Sequence, residues 1–153
     1  SDPQSWSIGQ CLDHLITTNQ LYQPIFEDIK RGEKDTNFFA RVRFLSGFFG
    51  KSLRNALGPE VKRKSSSPAN FRPSQSDIPG DIVEHFTKHL GALQAELELL
   101  PDQDYGSWII TSPAAKFITY SFEDALYVIT GHIERHLNQA ERVLEAQGLP
   151  LSK

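Results

Sequence analysis

The chain contains no methionine and a single cysteine, Cys11. One thiol cannot close an internal disulfide, so the natural home of such a chain is a reducing compartment, the cytoplasm. No apolar run approaches the roughly 18 residues needed to span a bilayer, and no signal-peptide pattern is visible. Basic surplus is lacking as well: a formal net charge of −3 argues against nucleic acid as the main partner. There is no glycine-rich phosphate loop, no nucleophile elbow and no Cys-x-x-Cys motif, which removes the commonest nucleotide, acyl-transfer and redox chemistries. Convincing β-strands are missing; the one short candidate is Trp108-Ile109-Ile110-Thr111. With Ser1 first and no methionine anywhere, the native N-terminus is expected to be trimmed or not represented, so a helix ahead of Trp6 would be out of view.

What is present reads as helix. The 153 residues suit one domain, 1–153, large enough to bury a core without staples. Ser7-Ile8-Gly9-Gln10 is a capping-box sequence, and Trp6 stands where an apolar residue staples onto the first turn, here at Cys11. The periodicity then predicts a helix over 8–31 with Ile8, Cys11, Leu12, Leu15, Tyr22, Ile25, Phe26 and Ile29 inward. Pro24 predicts a kink or break within it, and Gly32 a stop. Residues 36–57 carry Phe38, Phe39, Phe44, Phe48 and Phe49, with Phe38, Val42, Leu45, Phe49 and Leu53 at helical spacing. This reads as an amphipathic helix whose phenylalanines pack on the bundle. The stretch is also basic: 41–64 carries net +6, leaving −9 for the rest. A Ser- and Pro-rich loop is expected over 58–76. A third helix capped by Ser76 or Asp77 follows, with Pro79 in its first turn and the stripe Ile82, Phe86, Leu90, Leu93, Leu97 and Leu100. The last helix starts after Ser121, an N-cap with Asp124 at N3, and runs to about Gln147, with Gly148 and Pro150 as stops. The fold class is all-α, a four-helix bundle with a long connection between its early and late helices.

Gly131-His132-Ile133-Glu134-Arg135-His136 holds the chemistry. Two imidazoles four residues apart share one face of a helix and can reach one divalent ion at about 2.0–2.1 Å. His136 falls inside the stripe set by Phe122, Leu126, Ile129, Ile133, Ala140 and Leu144, and His132 on its edge. Glu134 points away, which separates this pair from metalloprotease helices, where the residue after the first histidine is the base. His14, on the inward side of the first helix, is the best-placed source of a third ligand. Cys11, one turn away, could in principle coordinate, though a small buried hydrophobe is the stronger reading. His85 and His89 repeat the spacing on the third helix, but lie to one side of its stripe beside Lys88 and read as a solvated flank.

Two segments resemble a known family. Trp6-Ser7-Ile8-Gly9-Gln10-Cys11-Leu12-Asp13-His14-Leu15 is similar to the tryptophan-serine opening of the metal-binding helix in the DinB-like superfamily. Gly131 to Ala140, with its His-x-x-x-His pair followed by Gln139, resembles that superfamily's last helix. Ser112-Pro113 and the Phe71-Arg72-Pro73 loop match its style. The resemblance implies a four-helix bundle whose metal, zinc or nickel, is held by His14, His132 and His136; His85 and His89 have no counterpart. The superfamily includes metal-dependent hydrolases and bacillithiol-type thiol S-transferases, so it implies a small-molecule substrate or a low-molecular-weight thiol as partner. A helix normally precedes the tryptophan-serine motif in that family. Either it lies outside this sequence or the Phe-rich segment fills part of its place, and an unfilled groove would favour a homodimer.

Three neutral imidazoles leave coordination positions open, as catalytic zinc sites do. Water there would be activated toward an electrophile, or a thiol would be held as thiolate. The basic aromatic segment 38–64 could line the entrance for an anionic substrate, or lie at a membrane surface. The alternative from another class is a non-catalytic helical bundle whose histidines form a structural or vestigial metal site.

Overall fold

The structure, a computed structural model, describes residues 6–57 and 78–148. Its helices are α1 (Ile8–Gln20), α2 (Gln23–Lys30), α3 (Arg43–Leu57), α4 (Ile82–Glu98) and α5 (Phe122–Ala146), with a 3₁₀ turn at Phe38–Arg41. The α1–α2 unit, α3, α4 and α5 form the four legs of an all-α bundle. Both faces of α5 are used: α1 packs on one and α3 on the other, while α4 closes against α1.

The break between α1 and α2 falls two residues ahead of Pro24. Proline has no N–H to donate, so it sits in the first turn of a new helix rather than inside a continuing one. Gly32, at φ +72°, lies just beyond α2 in the left-handed conformation that favours glycine. The capping box forms as its sequence requires: Gln10 N donates to Ser7 Oγ at 3.2 Å, and Ser7 N donates to Gln10 Oε1 at 2.9 Å. Ser121 caps α5 in the same way, accepting from Asp124 N at 3.0 Å.

Two apolar clusters fill the interior. Leu12 and Leu15 of α1 meet Ile82 and Phe86 of α4. Tyr22, Phe26 and Ile29 meet Leu93, Ile110, Tyr120 and the α5 residues Phe122, Ala125 and Ile129. Ile133 of α5 packs against both, which joins the two clusters into one core. Each fully buried large apolar side chain here contributes about 1.5–3 kcal/mol.

Three expectations need correction. The candidate strand is real but short: β1 (Ile109–Thr111) pairs antiparallel with β2 (Thr119–Ser121), Ile110 opposite Tyr120. The hairpin buries Tyr120, whose hydroxyl lies 2.7 Å from that of Tyr22. Helix α4 begins at Ile82 with Asp81 at its cap, so Pro79 precedes it, and it ends at Glu98, short of Leu100. Ser76, Asp77, Pro150, the Phe71-Arg72-Pro73 loop and the rest of the 58–76 connection lie outside the described residues.

The third correction concerns the phenylalanines. Val42, Leu45, Phe49 and Leu53 are half-buried, but Phe38, Phe39, Phe44 and Phe48 are exposed. What brings α3 close to α5 is Gly50. A Cβ built there would lie 2.8 Å from Asp124 Cγ. Asp124 cannot step aside cheaply, since its Oδ2 accepts from Ser121 Oγ at 2.8 Å and its Oδ1 from Arg54 at 3.1 Å. Gly50→Ala is therefore expected to destabilise by about 1–3 kcal/mol, the usual cost of overpacking. Urea unfolding checks this; a midpoint equal to that of the parent chain would contradict the close approach.

Candidate metal centre

The three histidines that share inward faces meet. His132 Nε2 lies 3.2 Å from His14 Nε2 and 3.1 Å from His136 Nε2. The ligand atoms of all three fall within 4.8 Å of one another. Their side chains are almost fully buried, at 2%, 9% and 9% exposure for His14, His132 and His136. The 118-residue separation between His14 and His132 is bridged because α1 and α5 pack side by side.

Burial keeps the two rings of α5 neutral. His132 is held at about 3, first by desolvation and then by its neighbours His136 and His14 and by Arg135. His136 is held at about 4 by burial, His14 and Arg135, with Gln139 working weakly the other way. Neutral imidazoles carry the lone pairs that metals use, so His132 and His136 need no deprotonation at pH 7.

The donor set fits a divalent ion. Each close Nε2 pair can share only one proton, so the remaining lone pairs face one another across a small space. A cation satisfies all of them at once. Tetrahedral ligands at about 2.05 Å stand roughly 3.4 Å apart, within a few tenths of an ångström of the two separations found. These three residues could therefore hold a metal ion, and among the described residues no other group of His, Cys, Asp or Glu meets the same test.

Other sequence candidates fall away. Cys11 is buried and outside the cluster, and burial pushes its thiol up to about 11, so it is a small core residue rather than a thiolate ligand. Glu134 is exposed. His85 is exposed on α4 with its Nε2 3.2 Å from Asp81, and half-buried His89 is lowered by desolvation alone. They join no ligand group.

Two residues acquire roles that the sequence reading did not assign. Trp6, in the staple position ahead of the first turn, covers the histidines: its ring centroid lies 4.7 Å from that of His14 and 6.1 Å from that of His136. The tryptophan-serine pair thus shields the centre with its first residue and caps the helix with its second. Thr18 sits one turn after His14 on the same face, its Oγ1 3.4 Å from His14 Nδ1. The four-residue spacing could have revealed it. With Nε2 turned to a metal, Nδ1 carries the proton and donates to Thr18 Oγ1, which fixes the tautomer. Thr18→Val, which keeps shape and removes the acceptor, is expected to weaken zinc binding about tenfold. Calorimetric titration measures this, and Thr18→Ser should recover most of the loss.

The chain also matches the model of the DinB superfamily over residues 1–140. Comparison with curated proteins and with solved structures finds no match. The matched region contains the tryptophan-serine cap, both ligand-bearing helices and all three histidines. The chain belongs to the DinB superfamily.

Proposed function

We propose that His14, His132 and His136 bind a divalent metal ion, zinc or nickel, and that the chain is an enzyme that activates a low-molecular-weight thiol for S-transfer. The observation that carries this reading is the convergence of three buried imidazoles from two helices. When bound, the ion supplies positive charge that lowers the pKa of a coordinated thiol or water toward neutrality.

The residues of the chain then divide the work. His132 and His136 present their nitrogens from one rigid helix, and His14 completes the set from α1, with Thr18 orienting its ring. Trp6 lies over His14 and His136 and keeps water off that side. Hydrolysis remains the runner-up because it asks more of the protein. Water starts near pKa 15.7 and is helped by a carboxylate base, whereas a thiol starts near 8.5. Among the described residues no carboxylate joins the ligand group. In S-transfer the thiol proton passes to solvent, sulfur bonds to an electrophilic carbon, and the leaving group departs with its electron pair.

The test uses protein prepared without a histidine tag and stripped by chelation. It should take up one zinc or nickel ion per chain, and uptake far below that would overturn the reading. Adding a low-molecular-weight thiol to the nickel-loaded protein should produce a sulfur-to-nickel charge-transfer absorption. Metal uptake without that band would favour hydrolysis.

A further inference from the structure

Four phenylalanines stand out of the fold in one region: Phe38 at 70% exposure, Phe44 at 83%, Phe48 at 62% and Phe117 at 57%. Phe44 and Phe48 are one turn apart on the same side of α3. Rotating the helix would not bury them, because its other side is already committed. Ser46 Oγ lies 2.9 Å from Thr119 Oγ1, and Gly50 rests against Asp124. The segments that carry Phe38 and Phe117 are joined through Asn37, whose Nδ2 donates to Lys116 O at 2.7 Å and to Thr111 Oγ1 at 2.9 Å. The rings of Phe38 and Phe39 are 5.8 Å apart, and Thr119 Oγ1 donates to Phe39 O at 3.3 Å. The 3₁₀ turn, the hairpin and the start of α3 thus present one aromatic edge. Isolated exposed apolar residues need no explanation, but a cluster of large rings does.

Charge tells what the edge suits. Residues 36–57 contain Arg41, Arg43, Lys51 and Arg54 and no acid, on a chain whose net charge is −3. Arg41, Lys51 and Lys116 are exposed beside the rings. Arg54 is engaged, pairing with Asp124 at 3.1 Å and lying over the Tyr127 ring at 4.3 Å. The nearby acid Asp35 is engaged as well, accepting from Asn37 N and Thr111 N. In sequence the basic run continues through Lys62, Arg63 and Lys64.

We propose that this aromatic, basic edge docks on membrane surfaces bearing anionic phospholipid headgroups. Rings of this kind enter the boundary between headgroups and acyl chains while Lys and Arg meet the phosphates. The attachment is peripheral, since no helix among the described residues is long and apolar enough to cross a bilayer. A second copy of the chain is a poorer occupant. A two-fold contact through this edge would set Arg41 and Lys51 against their own copies.

Vesicle co-sedimentation of the full chain tests the proposal. It should pellet with phosphatidylcholine vesicles containing phosphatidylglycerol, bind much less to phosphatidylcholine alone, and release at high salt. The double variant Phe44→Ser/Phe48→Ser should lose binding by at least about tenfold, and Lys51→Glu by fivefold or more. Unchanged circular dichroism shows that these exposed changes leave the fold intact. Failure to bind the anionic vesicles, or binding that both variants retain, overturns the proposal. So does a dimer in solution that the double variant dissociates when no vesicle binding is seen, which would assign the edge to a second copy.

Discussion

His132→Ala is expected to abolish stoichiometric zinc or nickel uptake while leaving helical content unchanged. His132 is the middle nitrogen of the three, within 3.2 Å of the other two, so its loss removes the donor that links α1 to α5. Loss of an outer-shell partner costs about 10–100-fold in metal affinity, and loss of a ligand should exceed that. The fold has reason to tolerate the change. Alanine is the best helix former, and in the metal-free protein the substitution removes a buried polar ring crowded by two others. Titration calorimetry and elemental analysis read the first effect, and far-ultraviolet circular dichroism reads the second. Uptake that survives in His132→Ala would show that the three-histidine centre is misassigned. Collapse of the helical signal would instead favour the non-catalytic, structural reading of the histidines. On the proposed S-transfer reading, thiol-dependent turnover should vanish with the metal, and His132→Gln should not restore it.

The centre was legible in the sequence because helical geometry made it so. Spacing placed His132 and His136 on one turn, the apolar stripe turned them inward, and the same reasoning chose His14 from α1. Facing excludes Glu134, Cys11 reads instead as a small buried hydrophobe, and both stand apart from the cluster. Local capping chemistry fixed the starts of α1 and α5, where a serine side chain decides the boundary within a residue. What sequence periodicity could not give was partnership. Phe49, Leu53, Phe44 and Phe48 all look alike as apolar residues on a helix. Only the close approach at Gly50 and the Ser46–Thr119 contact decide which of them turn inward. Strands of three residues are too short for an alternation to register, so the sequence shows only the run Trp108-Ile109-Ile110-Thr111 and not its partner strand. Spacing offers Trp6 only positions along its own helix, and its stacking on His136, on a helix more than a hundred residues away, is not visible there. Contacts local in sequence can be derived from spacing; those between helices need the packing first.

Lowering the pH from 7 to 5 should unfold the metal-free protein at distinctly lower denaturant. His132 and His136 titrate at about 3 and about 4 in the folded chain, below the ~6.5 of an unfolded histidine. As pH falls, the unfolded chain therefore takes up protons first, and stability is drained from the folded side. The contribution is intact above about pH 6.5 and declines from there toward pH 4, with a slope near 1.4 kcal/mol per pH unit for each ring. Over those two units each histidine accounts for a loss of about 2 kcal/mol. Two together are a large share of a total stability of roughly 5–15 kcal/mol. His89, also lowered by burial, acts in the same direction. Urea midpoints at the two pH values measure the effect, and His132→Ala should remove close to half of it. A midpoint that does not move would mean that the rings are not held neutral inside the fold. Zinc and protons compete for the same lone pairs, so adding zinc should raise the midpoint and shift the loss to lower pH. That shift should be absent in His132→Ala, because the ion then has no three-nitrogen site to occupy.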